Sequence, residues 1–313
     1  MDISYLAELL RAQRFGECRE AAGTMLRRVG LSPTDKAQAF LALSRSLAAL
    51  HAHQESLAPA ELAAHFAQEG AEYDLLGRAL CHLATVCHDN RLYKRAASCL
   101  AEYFQHFTLY DRAKALEGRA FHLSARCHQA MGRSDKAAEY YEKAYRWHRE
   151  TDPQQWEQHR ADLIWHCLRQ GRLDRVGALL SESETYLNAT PNDLEARGHY
   201  LANLAYRSFM LGEYQASIET AIRLMGIRGI SPVRRAQACV ILHHTAKAMG
   251  MLREAMGMGV LARIQASVAR RPDLEEEVVR SMLQLQQREG LPLMEELFRV
   301  LTEAGQHSKQ ASG

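Results

Sequence analysis

One spacing constrains this chain more than any other feature. A break residue recurs at a near-constant interval, each time between two stretches of helical periodicity. The segments are HDNRLYKRAASCLAEY at Arg91, AMGRSDKAAEYYEKA at Gly132, RQGRLDRVGALLSES at Gly171, MLGEYQASIETAIRL at Gly212 and AMGMLREAMGMGVLA at Gly250. Successive breaks are 41, 39, 41 and 38 residues apart. A period of roughly 40 with a helix on each side of the break predicts an array of stacked helical hairpins. Glycine suits the left-handed turn that closes a helix, and Asn90, before Arg91, is a residue that also tolerates it. A lone hairpin cannot cover both of its faces, so stacking must supply the core.

The flanking residues repeat the same logic. Before the break, small or apolar residues share one helix face: Leu80, Leu83 and Ala84; Phe121, Ser124 and Ala125; Leu201, Leu204 and Ala205. After it, an aromatic or Leu is followed three places on by a small residue: Tyr93 with Ala96, Leu173 with Val176, Tyr214 with Ser217, Leu252 with Ala255. Small residues let paired helices approach closely while larger ones fill the space between hairpins. With only 7 prolines and 19 glycines in 313 residues, composition agrees with an all-α chain.

The expected fold is a right-handed α-solenoid of seven or eight stacked hairpins in a single domain over residues 1–306. Residues 1–76 form two divergent hairpins. One turns near Phe15 and Gly16. The other has Thr34 as N-cap, Pro59 opening its second helix and Gly70 closing it. Residues 77–270 hold the five phased repeats, and 271–306 form capping helices starting at Pro272 and Asp273. The polar tail 307–313 is expected to be unordered.

Several function classes are disfavoured. The net charge of +2, from 39 basic and 37 acidic side chains, gives no global field for nucleic acid, so no direct nucleic-acid partner is expected. The seven cysteines fall at irregular spacing without a CxxC pair, which points to small buried hydrophobes in a reducing compartment. The N-terminus does not read as a signal peptide and no apolar run is long enough to span a bilayer, so the expectation is a cytoplasmic protein without membrane attachment. Signatures of P-loop, dinucleotide, zinc-protease and serine-hydrolase sites are absent, and the chain reads as a non-enzyme with no cofactor. No metal site is expected either. In CHLATVCH a helix places Cys81 and His88 on one face and His82 and Cys87 off it, and His243 and His244 are adjacent and point apart. Glu275, Glu276 and Glu277 read as a charge-stabilised helix start.

The pattern resembles tetratricopeptide repeats, whose motif has a small residue in the first helix, Gly then an aromatic at the turn, and Ala, aromatic, Ala along the second helix. Gly132, Ala137, Tyr141 and Ala144 match it, as do Ala205, Gly212 and Tyr214. The period is several residues longer than usual for that family, and the closing Pro appears only here and there, as at Pro153. In this family the first helix of each hairpin lines a concave groove that receives extended or helical peptides. Carried onto this chain, the resemblance implies groove positions Arg78, Cys81, His82, Thr85 and His88, then Arg119, His122, Arg126 and Gln129. It continues with Ala161, Trp165 and Arg169, then His199, Asn203, Tyr206 and Met210, then Gln237, His244 and Lys247.

Arg, Asn and aromatic residues with almost no acids suit a peptide: Arg for carboxylates, Asn for main chain, Trp165 or Tyr206 for an apolar side chain. Asn203 stands out, because an amide amid apolar residues must find partners. The implied function is a peptide- or partner-binding scaffold in regulation or signalling. In architecture and period it resembles the intracellular peptide-pheromone receptors of Gram-positive bacteria, though residues 1–30 do not read as their helix-turn-helix. The alternative is a sensor arm or assembly subunit whose partner carries the activity. LPLMEELFRVL at residues 291–301 is the candidate contact for that partner or for a homodimer.

Overall fold

The computed structural model describes residues 2–107, 114–151, 153–269 and 271–289. Over these the chain is all-α. The helices are α1 (Ile3–Arg11), α2 (Phe15–Leu26), α3 (Pro33–Ala49), α4 (Leu57–Glu69), α5 (Tyr73–Asp89), α6 (Tyr93–Phe107), α7 (Lys114–Ala130) and α8 (Ser134–Thr151). They continue with α9 (Pro153–Arg169), α10 (Leu173–Ala189), α11 (Leu194–Met210), α12 (Tyr214–Met225), α13 (Pro232–Ala248), α14 (Leu252–Val268) and α15 (Pro272–Glu289). Odd-numbered helices from α1 to α13 are the first helices of hairpins, and even-numbered ones the second. The chain forms two compact units, Met1–Leu163 and Ile164–Gly313.

The hairpin turns share one closure. At Gly132 (φ 71°), Gly171 (70°), Gly212 (78°) and Gly250 (76°) the backbone enters the left-handed region, and Arg91 does the same at 61°. At Gly132 the amide N–H donates to the Gln129 carbonyl at 3.0 Å, and that of Arg133 reaches back to His128 at 2.8 Å. The two bonds satisfy carbonyls that the helix end would leave open. Arg91 and Leu92 repeat the pair on His88 and Cys87. Asn90 stays out of the left-handed region and uses its side chain instead, donating to the carbonyls of His53 and Val86 at 2.8 and 2.9 Å.

The same closure extends into the divergent N-terminal segment. Gln13 (φ 56°) and His51 (φ 64°) occupy the turn of the first two hairpins, with the paired bonds from Gln13 and Arg14, and from His51 and Ala52. The first turn therefore falls at Gln13, and Phe15 begins α2 instead of ending the turn. In the second hairpin the N-cap is Ser32, whose Oγ accepts from the Asp35 amide at 3.1 Å with Pro33 in the first turn, so Thr34 already lies inside the helix. The second helix of that hairpin opens at Leu57, two residues before Pro59, and ends at Gly70 as expected.

The small residues after each turn do what their size predicts. Ala96, Ala137, Val176, Ser217 and Ala255 are all fully buried where paired helices meet. Leu80, Leu83, Leu100 and Tyr103 share a core cluster with Ala96 in the first unit, and Val240, Val260 and Met282 share one with Ala255 in the second. Six of the seven cysteines are buried and Cys81 is half-buried, all with free thiols, as small apolar fillers would be. The last capping helix, the 291–301 contact segment and the 307–313 tail lie outside the described residues. Among the described residues no helix is long and apolar enough to cross a membrane.

Two glycines test how tight the pairing is. A Cβ on Gly118 of α7 would fall against His148 of α8 and 2.6 Å from Trp147 Cε3, whereas one on Gly177 of α10 would meet nothing within 4 Å. Gly118→Ala is expected to lose on the order of 1–2 kcal/mol of stability through overpacking. Gly177→Ala should gain up to about 1 kcal/mol from helix propensity. Urea denaturation of the two variants reads both; a loss at Gly177 or a gain at Gly118 would contradict this packing.

Candidate functional site

The first helices carry the polar residues singled out from sequence, at positions that range from exposed to buried. In the first unit, Arg78 of α5 is exposed and pairs with Asp74 one turn earlier on the same helix at 2.9 Å. Arg119 and Arg126 of α7 are also exposed. A further arginine joins them: Arg45 of α3, whose guanidinium is held below the ordinary arginine range by burial and by the positive charges of Arg78 and Arg119. Three guanidinium groups from α3, α5 and α7 thus share one field. Neither Arg45 nor Arg119 has an acidic partner at ion-pair distance among the described residues.

Arg45 was missed because its hairpin lacks a glycine at the turn. Counted from the turn residue His51, it sits six places back, the same place that Thr85, Arg126, Trp165, Tyr206 and His244 hold before their own turns. Beside it, His82 Nε2 lies 2.8 Å from Ser44 Oγ. Burial and the Arg45 charge push this imidazole down to about 4, so it is neutral at physiological pH. The neighbouring Cys81 thiol is pushed by burial up to about 12 and is no nucleophile.

Further along the same unit a second polar group forms. His122 Nε2 of α7 is 2.9 Å from Asp162 Oδ2 of α9, and its ring packs edge-on to His159 at 4.4 Å between centroids. His159 in turn stacks on His148 of α8 at 4.2 Å. Among the described residues His122, His159 and Asp162 bring a set of metal-ligating atoms together, all within 4.8 Å of one another.

In the second unit the corresponding face is aromatic. Trp165 and Tyr206 lie 4.8 Å apart between ring centroids, Phe209 is 5.7 Å from Tyr206, and His244 is 6.2 Å from Phe209. Tyr206 and Trp165 are half-buried, whereas His199 and Asn203 are 3% and 4% exposed and belong to the interior. His244 Nε2 is 3.2 Å from Glu277 of α15, and Lys247 Nζ donates to Ser281 Oγ at 3.0 Å. Burial alone would raise the Glu277 carboxyl, but the His244 hydrogen bond and charge, with Arg169, bring it below the usual carboxylate value. The few acids of the face are engaged: Asp162 and Glu277 stand on it, each held by a histidine. Of the ten positions singled out from sequence, the three arginines lie in the first unit, and Trp165, Tyr206 and Lys247 in the second.

No protein-family model matches the sequence, and no curated protein does. Solved structures match it at low identity. The apo form of RapI aligns with TM-score 0.64 at 14% identity, covering 90% of this chain and 97% of that one. A tetratricopeptide repeat protein from Parabacteroides merdae aligns with TM-score 0.63 at 12% identity, covering 91% and 97%. A Rap protein complexed with competence and sporulation factor aligns with TM-score 0.59 at 15% identity, covering 88% of this chain and 74% of that one. Hairpins of paired helices closed by one recurring turn, with these structures as neighbours, give the chain the tetratricopeptide-like α-solenoid fold.

Proposed function

We propose that the protein is a non-catalytic binding scaffold that takes an acidic peptide or partner segment on the first-helix face of its N-terminal unit. The observation that carries this is the convergence of Arg45, Arg78 and Arg119, two of them without an acidic partner among the described residues. Holding guanidinium groups in each other's field costs free energy that a carboxylate-bearing ligand returns, and Arg presents a planar fork suited to it. Half-buried, neutral His82 adds a hydrogen-bonding edge without adding charge. The Rap protein of like fold is complexed with competence and sporulation factor, which supports a binding role for a chain of this fold. The regulatory role follows from the same reading: a scaffold without chemistry of its own acts by holding or releasing what it binds.

A second reading has its own support. On α14, Leu261, Ile264 and Val268 are 40%, 41% and 63% exposed and share one helix face, an apolar stripe of the kind an assembly subunit uses.

The test is copurification of the tagged protein from its own host, with bound peptides and proteins identified by mass spectrometry. It is repeated with the surface variant Arg45→Ser/Arg119→Ser, which should melt like the parent. Recovery of Asp/Glu-rich species, reduced at least tenfold in the variant and by added salt, is the expected result (a tenfold loss is about 1.4 kcal/mol). Species recovered equally with both proteins would sink the basic-face reading. If Ile264→Asp then released them, the stripe on α14 would be the contact.

A further inference from the structure

We propose that His122, His159 and Asp162 form a binding site for one divalent first-row transition-metal ion, Zn²⁺ above all, linking α7 to α9. This inference stands apart from the peptide-binding reading.

The donor set is the first reason. Two imidazoles and one carboxylate are the ligands that such ions select, and here their donor atoms already lie within 4.8 Å of one another. In a tetrahedral zinc site, metal–ligand bonds near 2.0–2.1 Å put ligand atoms about 3.3 Å apart. Side-chain rotation closes the remaining gap, and His122 and Asp162 are half-buried, with room to move.

The second reason is independent of the first. His159 is only 5% exposed, and its Nδ1 is fully buried without a hydrogen-bond partner. A buried ring nitrogen left in that state costs on the order of 1–3 kcal/mol, which coordination of the imidazole and the attendant choice of tautomer offset.

The surroundings complete a site. Asp162 Oδ2 also receives a hydrogen bond from Gln158 Nε2 at 3.3 Å, which orients the carboxylate. Without an ion, His122 Nε2 and Asp162 Oδ2 are joined by a hydrogen bond; on binding, the Nε2 position gives up its proton, which passes to Nδ1 or to solvent. Three protein ligands leave a fourth position open. Because His122 and Asp162 are partly exposed while His159 is not, that position faces solvent on the first-helix side, where an ion would add to the positive field of Arg119.

Neither helix alone reveals the site. His159 and Asp162 are three residues apart on α9, and their partner lies 37 residues before His159 on α7, so a search for clustered ligands in the sequence looks elsewhere.

The test uses the full chain after dialysis against a chelator. Zn²⁺ is titrated against a chromophoric competitor, and Co²⁺ is followed by its visible absorption. One ion per chain and a raised melting temperature are expected, with affinity reduced at least tenfold in His122→Asn and in Asp162→Asn. Both positions are half-buried, so these variants should fold even if His159→Gln does not. No stoichiometric uptake by the parent, or uptake unchanged in both variants, would overturn the proposal and leave a simple His–Asp hydrogen bond.

Discussion

Glu157→Gln is expected to cost the fold about 3–5 kcal/mol, the usual range for breaking a buried ion pair by neutralising one member. On α9, Arg160 is fully buried, and its ion-pair partner Glu157, three residues earlier, is 3% exposed. The guanidinium also packs over the Trp156 ring, 4.2 Å from its centroid. Glutamine keeps the shape of the glutamate but removes its charge. Arginine cannot shed its proton to compensate, since its pKa exceeds about 12. A neutral amide would then stand where the carboxylate was, and the cation–π contact with Trp156 is worth only about 2 kcal/mol when desolvated. The converse experiment sharpens the claim. Replacing both members by apolar residues, as in Glu157→Leu/Arg160→Met, should be close to neutral, because the desolvation cost of both ions disappears with their attraction. Guanidinium denaturation of the two variants checks the pair of expectations. A loss below about 1 kcal/mol for Glu157→Gln would mean that Glu157 is not the group that compensates the buried Arg160 charge.

What sequence makes visible here is the periodic part of the design, and what it hides is the part set by contacts between helices. Gly132, Gly171, Gly212 and Gly250 announce their turns because glycine takes a positive φ without cost. Gln13 and His51 make the same turn with the same pair of hydrogen bonds, yet nothing in their side chains says so, because tertiary packing holds them there at a cost of roughly 1–2 kcal/mol each. Losing that phase also hid Arg45, which stands at the same distance from its turn as Arg126 and Tyr206. The face as a whole was legible, since first-helix positions follow from the period alone. Which of its residues are available was not. His199 stands at the same distance from its turn as the exposed Arg78 and Arg119 but lies in the interior, as does Asn203, while His244 and His122 are each engaged by an acid from the next odd-numbered helix. Those acids, Glu277 and Asp162, come from 33 and 40 residues away, a separation at which spacing rules for a single helix carry no information.

Acidification from pH 7.5 to 5 should destabilise the protein through His243 by about 2 kcal/mol, with the full contribution reaching about 3 kcal/mol by pH 4. This imidazole of α13 is fully buried. Its Nδ1–H donates to the Ala255 carbonyl of α14 at 2.7 Å, and Nε2 accepts from Ser281 Oγ of α15 at 2.9 Å. Burial pushes its pKa from 6.5 down to about 4; His244 and Lys247 push the same way, while the Ala255 hydrogen bond and the Glu277 charge oppose them. The unfolded chain therefore takes up a proton near pH 6.5, whereas the folded one resists until about 4. Between those values the unfolded state binds more protons, so stability rises with pH and falls as acid is added. Above 6.5 the contribution is fully present, and below 4 both states are protonated and nothing further is lost. His82 and His159, pushed down to about 4 and about 3, act in the same direction, so the whole chain should lose more than His243 alone accounts for. The His243 share is isolated by His243→Asn, whose amide can occupy the Nδ1 position and does not titrate. Urea midpoints measured at pH 7.5, 6.5, 5.5 and 5.0 should fall with pH less steeply in the variant than in the parent. Parallel slopes in the two proteins would show that His243 is protonated in the folded state, and that its Nε2 does not accept from Ser281.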